Sequence, residues 1–217
     1  MPENIADLGT HPVFVVLLSY LLGSLSFAVI VSRFMGLSDP RSYGSQNPGA
    51  TNVLRSGNKT AAVLTLLFDA LKGWLPVYGL MKYGAAYGLS DGTVAMAGLA
   101  AFLGHLYPVF FKFKGGKGVA TALGVLMGIN PLLGAAIVLT WIGVAWFFRY
   151  SSLAALLSAI LAPVYYALGG DAAWPLQNPI LGLLCVMGVL LVWRHRENVN
   201  RLLAGKESKL GSKKETP

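Results

Sequence analysis

Apolar residues in this chain come in long blocks rather than in the alternating or every-third-residue spacing of half-buried elements. The blocks run at about Val13–Ser32, Ala61–Met81, Thr93–Phe111, Val119–Ile129, Leu132–Phe148, Leu153–Leu168 and Ile180–Trp193. Sequence that is hydrophobic all round predicts helices with no polar face to give to water. Several blocks carry roughly the 17 or more uncharged residues that one helix needs to cross a hydrocarbon core, and six are plausible crossings. The fourth, Val119–Ile129, offers only about 16 Å of helix at ~1.5 Å per residue. Length alone makes it half a crossing.

The polar segments between the blocks decide the count. With Arg33–Lys59 in the cytoplasm and seven crossings, 15 of the 17 Lys and Arg residues fall on the cytoplasmic side. Lys82 alone lies outside, and Lys72 lies within a crossing. If the fourth block is skipped, every later basic segment changes side, against the usual cytoplasmic excess of cations. The pattern therefore predicts an all-α, polytopic integral membrane protein with seven transmembrane helices, N-terminus outside and C-terminus cytoplasmic. Residues 1–217 read as a single membrane-embedded domain, with 205–217 a flexible basic cytoplasmic tail. The opening "MPENIADLGTHP" is acidic and lacks a signal peptide's basic start, so the first block is expected to be retained.

Composition agrees. The chain is 55% hydrophobic, with a mean hydropathy of +0.60, which excludes an ordinary soluble domain. Its 26 glycines suit helices that pack closely in lipid. A net charge of +8 would suit nucleic acid on a soluble module, but here the cytoplasmic bias accounts for it and no nucleic-acid partner is expected. Cys185 stands alone in an apolar block, so neither a disulfide framework nor a cysteine metal site is expected.

Three polar islands fall on the predicted cytoplasmic face. The first, "GSQNPGATNVLRSGNKT" (Gly44–Thr60), presents hydroxyls, amides and turned backbone ahead of Arg55; plain turn chemistry explains its glycines and asparagines but less well its arginine. The second, "FKFKGGKGVAT" (Phe111–Thr121), gathers Lys112, Lys114 and Lys117 around Gly115, Gly116 and Gly118. A glycine loop whose N–H groups lead into a helix start is an anion nest backed by the helix dipole. A positive-inside loop would explain the lysines but not the glycines. His105, just upstream, is as suited to capping or packing as to reaction. The third, "WRHRENVNRLLAGKE" (Trp193–Glu207), would place His195 and Asn198 on one helical face, and Arg194, Asn198 and Arg201 likewise; an interfacial anchor helix explains its leucines and arginines only. Ser151 or Ser152 would open a helix on the same side, where capping is the ordinary account. Asp69 and Lys72, three apart inside the second block, read as a mutually neutralising structural pair. The face holds many cations and few carboxylates, so neither a two-metal nor a zinc site is expected. What remains is anion recognition, of phosphates above all, beside lipid.

At these residues the sequence closely resembles the bacterial acyl-phosphate-dependent glycerol-3-phosphate acyltransferases, the PlsY family. "GSQNPGATNVLR", "GHLYPVFFKFKGGKGVAT" and "RHRENVNRLLAGKE" are similar to its three cytoplasmic motifs, and the likeness spans nearly the whole chain. The resemblance implies transfer of a fatty acyl group from acyl phosphate to the sn-1 hydroxyl of glycerol 3-phosphate at the bacterial inner membrane. No cofactor is implied, and the soluble enzyme that makes acyl phosphate becomes a candidate partner. The H-x-x-x-x-D signature of other glycerolipid acyltransferases is missing. By position, Ser45 and Arg55 are implied contacts of glycerol 3-phosphate. Lys114 with Gly115, Gly116, Lys117 and Gly118 is the implied phosphate cradle, and Ser152 an aid in holding the donor phosphate. His195 and Asn198 are implied positioning or catalytic groups. Asn47, Thr51, Asn52 and Arg194 complete the expected substrate contacts. Either His195 or a substrate phosphate oxygen could take the hydroxyl proton. A carrier for a phosphorylated solute is the rival class, and it would spread its cations to the midplane and both faces.

Overall fold

The computed structural model describes residues 11–211, and they form helices with no strand among them. In chain order these are α1 (Pro12–Gly23), α2 (Phe27–Phe34), α3 (Ala50–Leu54), α4 (Lys59–Tyr83), α5 (Asp91–Leu106), α6 (Val119–Ile129), α7 (Pro131–Phe148), α8 (Ser151–Leu168), α9 (Asn178–Arg194) and α10 (Arg196–Leu203). Each predicted apolar block has become helix. Local signals set several starts: the Asn58 side chain accepts from Ala61 N–H to begin α4, and Asn130 accepts from Leu132 and Leu133 to begin α7, followed by Pro131 at its first position.

Four segments are long and apolar enough to cross a membrane: Lys59–Tyr87, Asp91–Phe111, Pro131–Phe148 and Ser151–Leu168. Two bent pairs, α1 with α2 (44°) and α9 with α10 (58°), raise the number to six if each pair is one span. The remaining apolar helix is α6, with 11 residues. Leu139 (69% exposed), Trp146 (80%) and Val189 (70%) point outward. An apolar girdle of that kind belongs against lipid rather than water.

The helices approach through glycines. A Cβ on Gly124 would stand 1.9 Å from the Ala70 carbonyl oxygen and one on Gly73 would stand 2.3 Å from that of Thr121, so α4 and α6 are in backbone contact. Gly23 and Gly104 bring α1 against α5 in the same way, at 2.1 Å from Ala101 O and 2.4 Å from Tyr20 O. With little hydrophobic driving force between helices in lipid, close contact of this sort supplies the cohesion.

Candidate active site

The glycine loop sits at the meeting point of α5, α6 and α9. Lys112 and Phe113 take left-handed backbone (φ 55° and 58°), as does Gln46 (φ 55°) in the first island. Strain at non-glycine residues concentrates where structure over-determines a site. These turns flank an open cleft of about 380 Å³ lined by Arg41, Gln46, Pro48, Phe111, Lys112, Lys114 and Gly115, which joins the first island to the second. Lys114 is exposed there, and Arg41 is held in its place by a bidentate pair with Asp39, Nε to Oδ1 (3.0 Å) and Nη2 to Oδ2 (2.6 Å).

The loop is pressed flat on its support. Cβ atoms on Gly115, Gly116 and Gly118 would meet His105 O at 2.1 Å, His105 Nε2 at 2.2 Å and Phe102 Cε2 at 2.3 Å. Gly118 also has φ 88°, which favours glycine. Arg194 donates to Gly115 O (3.0 Å) and to Gly116 O (2.9 and 3.2 Å). A trans peptide points its N–H opposite to its C=O. Engaging the Gly116 carbonyl therefore turns the Lys117 N–H away from Arg194, beside the N–H groups that open α6 and have no intrahelical acceptor. Arg194, expected among the substrate contacts, is here bonded to the carbonyls of the glycine loop.

The third island closes over the second. Lys117 Nζ donates to Asn198 Oδ1, while Asn198 Nδ2 donates to Glu207 Oε1 (2.6 Å). Glu207 accepts in addition from Ser152 Oγ (2.7 Å) and from Arg201 Nε (2.7 Å). Burial would raise the Glu207 carboxyl, but these three donors outweigh it and hold it below the usual range. Lys117 is pushed down to about 8, first by burial and then by the Arg201 charge. His195, at the junction of α9 and α10, is buried, and its Nδ1 lies 2.9 Å from Leu191 O. That contact is met by an Nδ1–H tautomer, leaving Nε2 with its lone pair. Desolvation pushes His195 down to about 4, with the Lys117 and Arg194 charges adding to the effect, so the ring is neutral at pH 7.

In the first island, Ser45 and Arg55 are exposed, as is Thr51, and Asn47 is half-buried. Asn52 is buried: its Nδ2 donates to Pro40 O (2.6 Å) and Tyr43 O (3.2 Å), while its Oδ1 accepts from Ser45 N–H (3.0 Å). Its amide holds Ser45 in place. Two features escaped the sequence reading. Glu207, placed there within a flexible tail, is the acceptor that joins Ser152, Asn198 and Arg201. Leu210 N–H also donates to Arg149 O (2.6 Å), so residues 205–211 are fastened to the body, and 212–217 lie outside the described residues. The other is the group that orients the His195 imidazole, the backbone carbonyl of Leu191. Among the described residues no group of His, Cys, Asp and Glu could hold a metal ion.

A family model described as glycerol-3-phosphate acyltransferase matches residues 13–205. Similar proteins of that name include one from Albidiferax ferrireducens, 62% identical over 94% of this chain and 92% of its own length. Another, from Paraburkholderia phytofirmans, is 62% identical over 92% and 91%. The fold is similar to the crystal structure of PlsY (YgiH), an integral membrane glycerol 3-phosphate acyltransferase, in its glycerol 3-phosphate form. That likeness has a TM-score of 0.83 and 41% identity, over 92% of this chain and 96% of that one. The lysophosphatidic acid form gives 0.82 and 40%, over 92% and 95%. Family model, sequence relatives and overall fold thus agree along nearly the entire length, and the chain belongs to the glycerol-3-phosphate acyltransferase family.

Proposed function

We propose that the protein moves a fatty acyl group from acyl phosphate to the sn-1 hydroxyl of glycerol 3-phosphate, releasing 1-acyl-glycerol 3-phosphate and inorganic phosphate. The bacterial inner membrane holds it through seven crossings, with the site in the cytoplasmic leaflet. The observation that carries this reading is the convergence of all three islands on one cationic loop: Gln46 and Lys114 share a cleft, while Lys117 and Asn198 share a hydrogen bond. Family membership narrows the acceptor, since a relative's crystal structure is described as a glycerol 3-phosphate form.

Acyl phosphate is already activated, so the protein's task is to bring two anions together and offset their repulsion. Orientation of that kind can lower a barrier by roughly 7–11 kcal/mol in favourable cases. Ser45 and Arg55, the latter exposed and without an ion pair among the described residues, meet glycerol 3-phosphate. Asn47 and Thr51 line its approach, and Asn52 acts through Ser45. Lys114, Lys117 and the N–H groups of Gly115, Lys117 and Gly118 stabilise charge on the acyl oxygen and the departing phosphate. Ser152 and Asn198, oriented by Glu207, steady the donor phosphate.

The attacking hydroxyl must lose its proton. His195 offers a free Nε2, yet a base pushed down to about 4 is weak. A phosphate monoester, with a second pKa of about 6, accepts the proton more readily. The substrate's own phosphate oxygen is therefore the base, and His195 positions it.

Purified protein in detergent, given palmitoyl phosphate and glycerol 3-phosphate without a membrane gradient, should yield lysophosphatidic acid and phosphate in equal amounts. Product formed only from acyl-CoA or acyl carrier protein would replace the donor assignment.

A further inference from the structure

Asp69, Lys72 and His105 have no place in the site above, although all three are buried. Lys72 Nζ lies 2.7 Å from Asp69 Oδ1 and donates to Leu25 O at 2.7 Å, in the break between α1 and α2. Asp69 Oδ1 also stands 3.6 Å from His105 Nδ1. The Asp69 backbone carbonyl accepts from Thr121 Oγ1 (2.9 Å), in the first turn of α6. One buried ion pair thus touches the α1–α2 break, α4, α5 and α6. A pair of this sort contributes little net stability, because removing two charges from water costs about as much as their attraction returns. Stability alone does not account for its presence.

His105 stands between the pair and the glycine loop. Its carbonyl accepts from Gly116 N–H at 3.1 Å, and its Nε2 fills the space where a Gly116 side chain would stand. The Gly115–Gly116 peptide is therefore held from both ends, its N–H by His105 and its C=O by Arg194. The His105 ring faces the Asp69 carboxylate at 3.6 Å, an electrostatic contact rather than a hydrogen bond, and Lys72 fixes that carboxylate. We infer that Asp69, Lys72 and His105 are positioning residues for the reaction: a buried strut that sets the height and tilt of the glycine loop against the bound phosphate. The inference rests on the cradle reading given above. It assigns no contact with substrate to any of the three.

A double-mutant cycle between His105 and Gly116 tests it, using purified protein in detergent. The readouts are KM and kcat for acyl phosphate, inhibition by inorganic phosphate, and the melting temperature. Gly116→Ala drives a methyl into the imidazole and should raise KM, and weaken phosphate inhibition, about tenfold. His105→Ala should raise KM in the same direction. The double variant gives the methyl the vacated space, leaving Pro48 O, 2.9 Å from the new Cβ, as the remaining conflict. Its KM should fall below that of Gly116→Ala alone. Losses that simply multiply, or a fall in kcat with KM unchanged, overturn the strut.

Asp69→Asn with Lys72→Met removes the pair without stranding either charge and should also raise KM. An unchanged KM there overturns the inference as stated. Should that pair fail to accumulate as folded protein, the His105–Gly116 cycle decides. Lys114→Ala separates the levels: unchanged kinetics in that variant remove the cradle reading, and the strut with it. A Lys114 effect without a His105–Gly116 coupling removes the strut alone.

Discussion

At the scale of single residues, Lys117 joins electrostatics to turnover most directly. Burial, followed by Arg201, brings its ammonium down to about 8. Since the lowered group loses its charge as pH rises through that value, the KM for acyl phosphate should climb above about pH 8. Substrate phosphate is fully ionised well below that point and does not confuse the profile. Lys117→Arg keeps its charge and should flatten the climb, even if its bulk raises KM throughout. A profile identical in both proteins would assign the ionisation to another group. Residue types announced this chemistry only in part. Lysines among glycines signalled an anion, but the partners of Lys117, Arg194 and Glu207 were hidden, because they come together across 81, 78 and 55 positions of chain. Nothing in "LLAGKE" distinguishes a solvated glutamate from the acceptor that orients Ser152 and Asn198.

At the scale of elements, the apolar blocks translated into helices with small changes at their ends. The first block did not remain whole. It breaks at Ser24–Ser26 and bends by 44°. Lys72 takes up the Leu25 carbonyl there, a contact across 47 positions that no local pattern encodes. Helix contacts were legible only as an excess of glycine; which glycines matter is a tertiary fact. Gly124→Val should force α4 and α6 apart, costing about 1–3 kcal/mol through overpacking, read as a lower melting temperature in detergent. Gly143→Ala, with nothing within 4 Å of its Cβ, should leave the transition in place. Equal effects at the two positions would mean that the α4–α6 contact is not what resists unfolding.

At the scale of the whole molecule, charge distribution predicts orientation where hydropathy cannot. Hydropathy and length alone give four spans, or six with the bent pairs; the seventh depends on counting lysines and arginines side by side. Reagent accessibility in intact cells checks it. With Cys185 replaced by serine, a cysteine at Lys82 should react with an impermeant maleimide, and one at Lys206 should react only after the cells are opened. Labelling of Lys206 in sealed cells would reverse the assignment.

The brevity of α6 bears on how the oily substrate is handled. Eleven residues starting at Gly118's neighbour cover about 16 Å, roughly half of the ~30 Å of a bilayer's interior. On the seven-crossing reading proposed above, a phosphate nest mounted on so short a post would hang at the level of the first methylenes of the surrounding lipids. The proposed acyl donor would then present its carbonyl without being hoisted from the leaflet, sparing about 0.8 kcal/mol for every methylene that stays submerged.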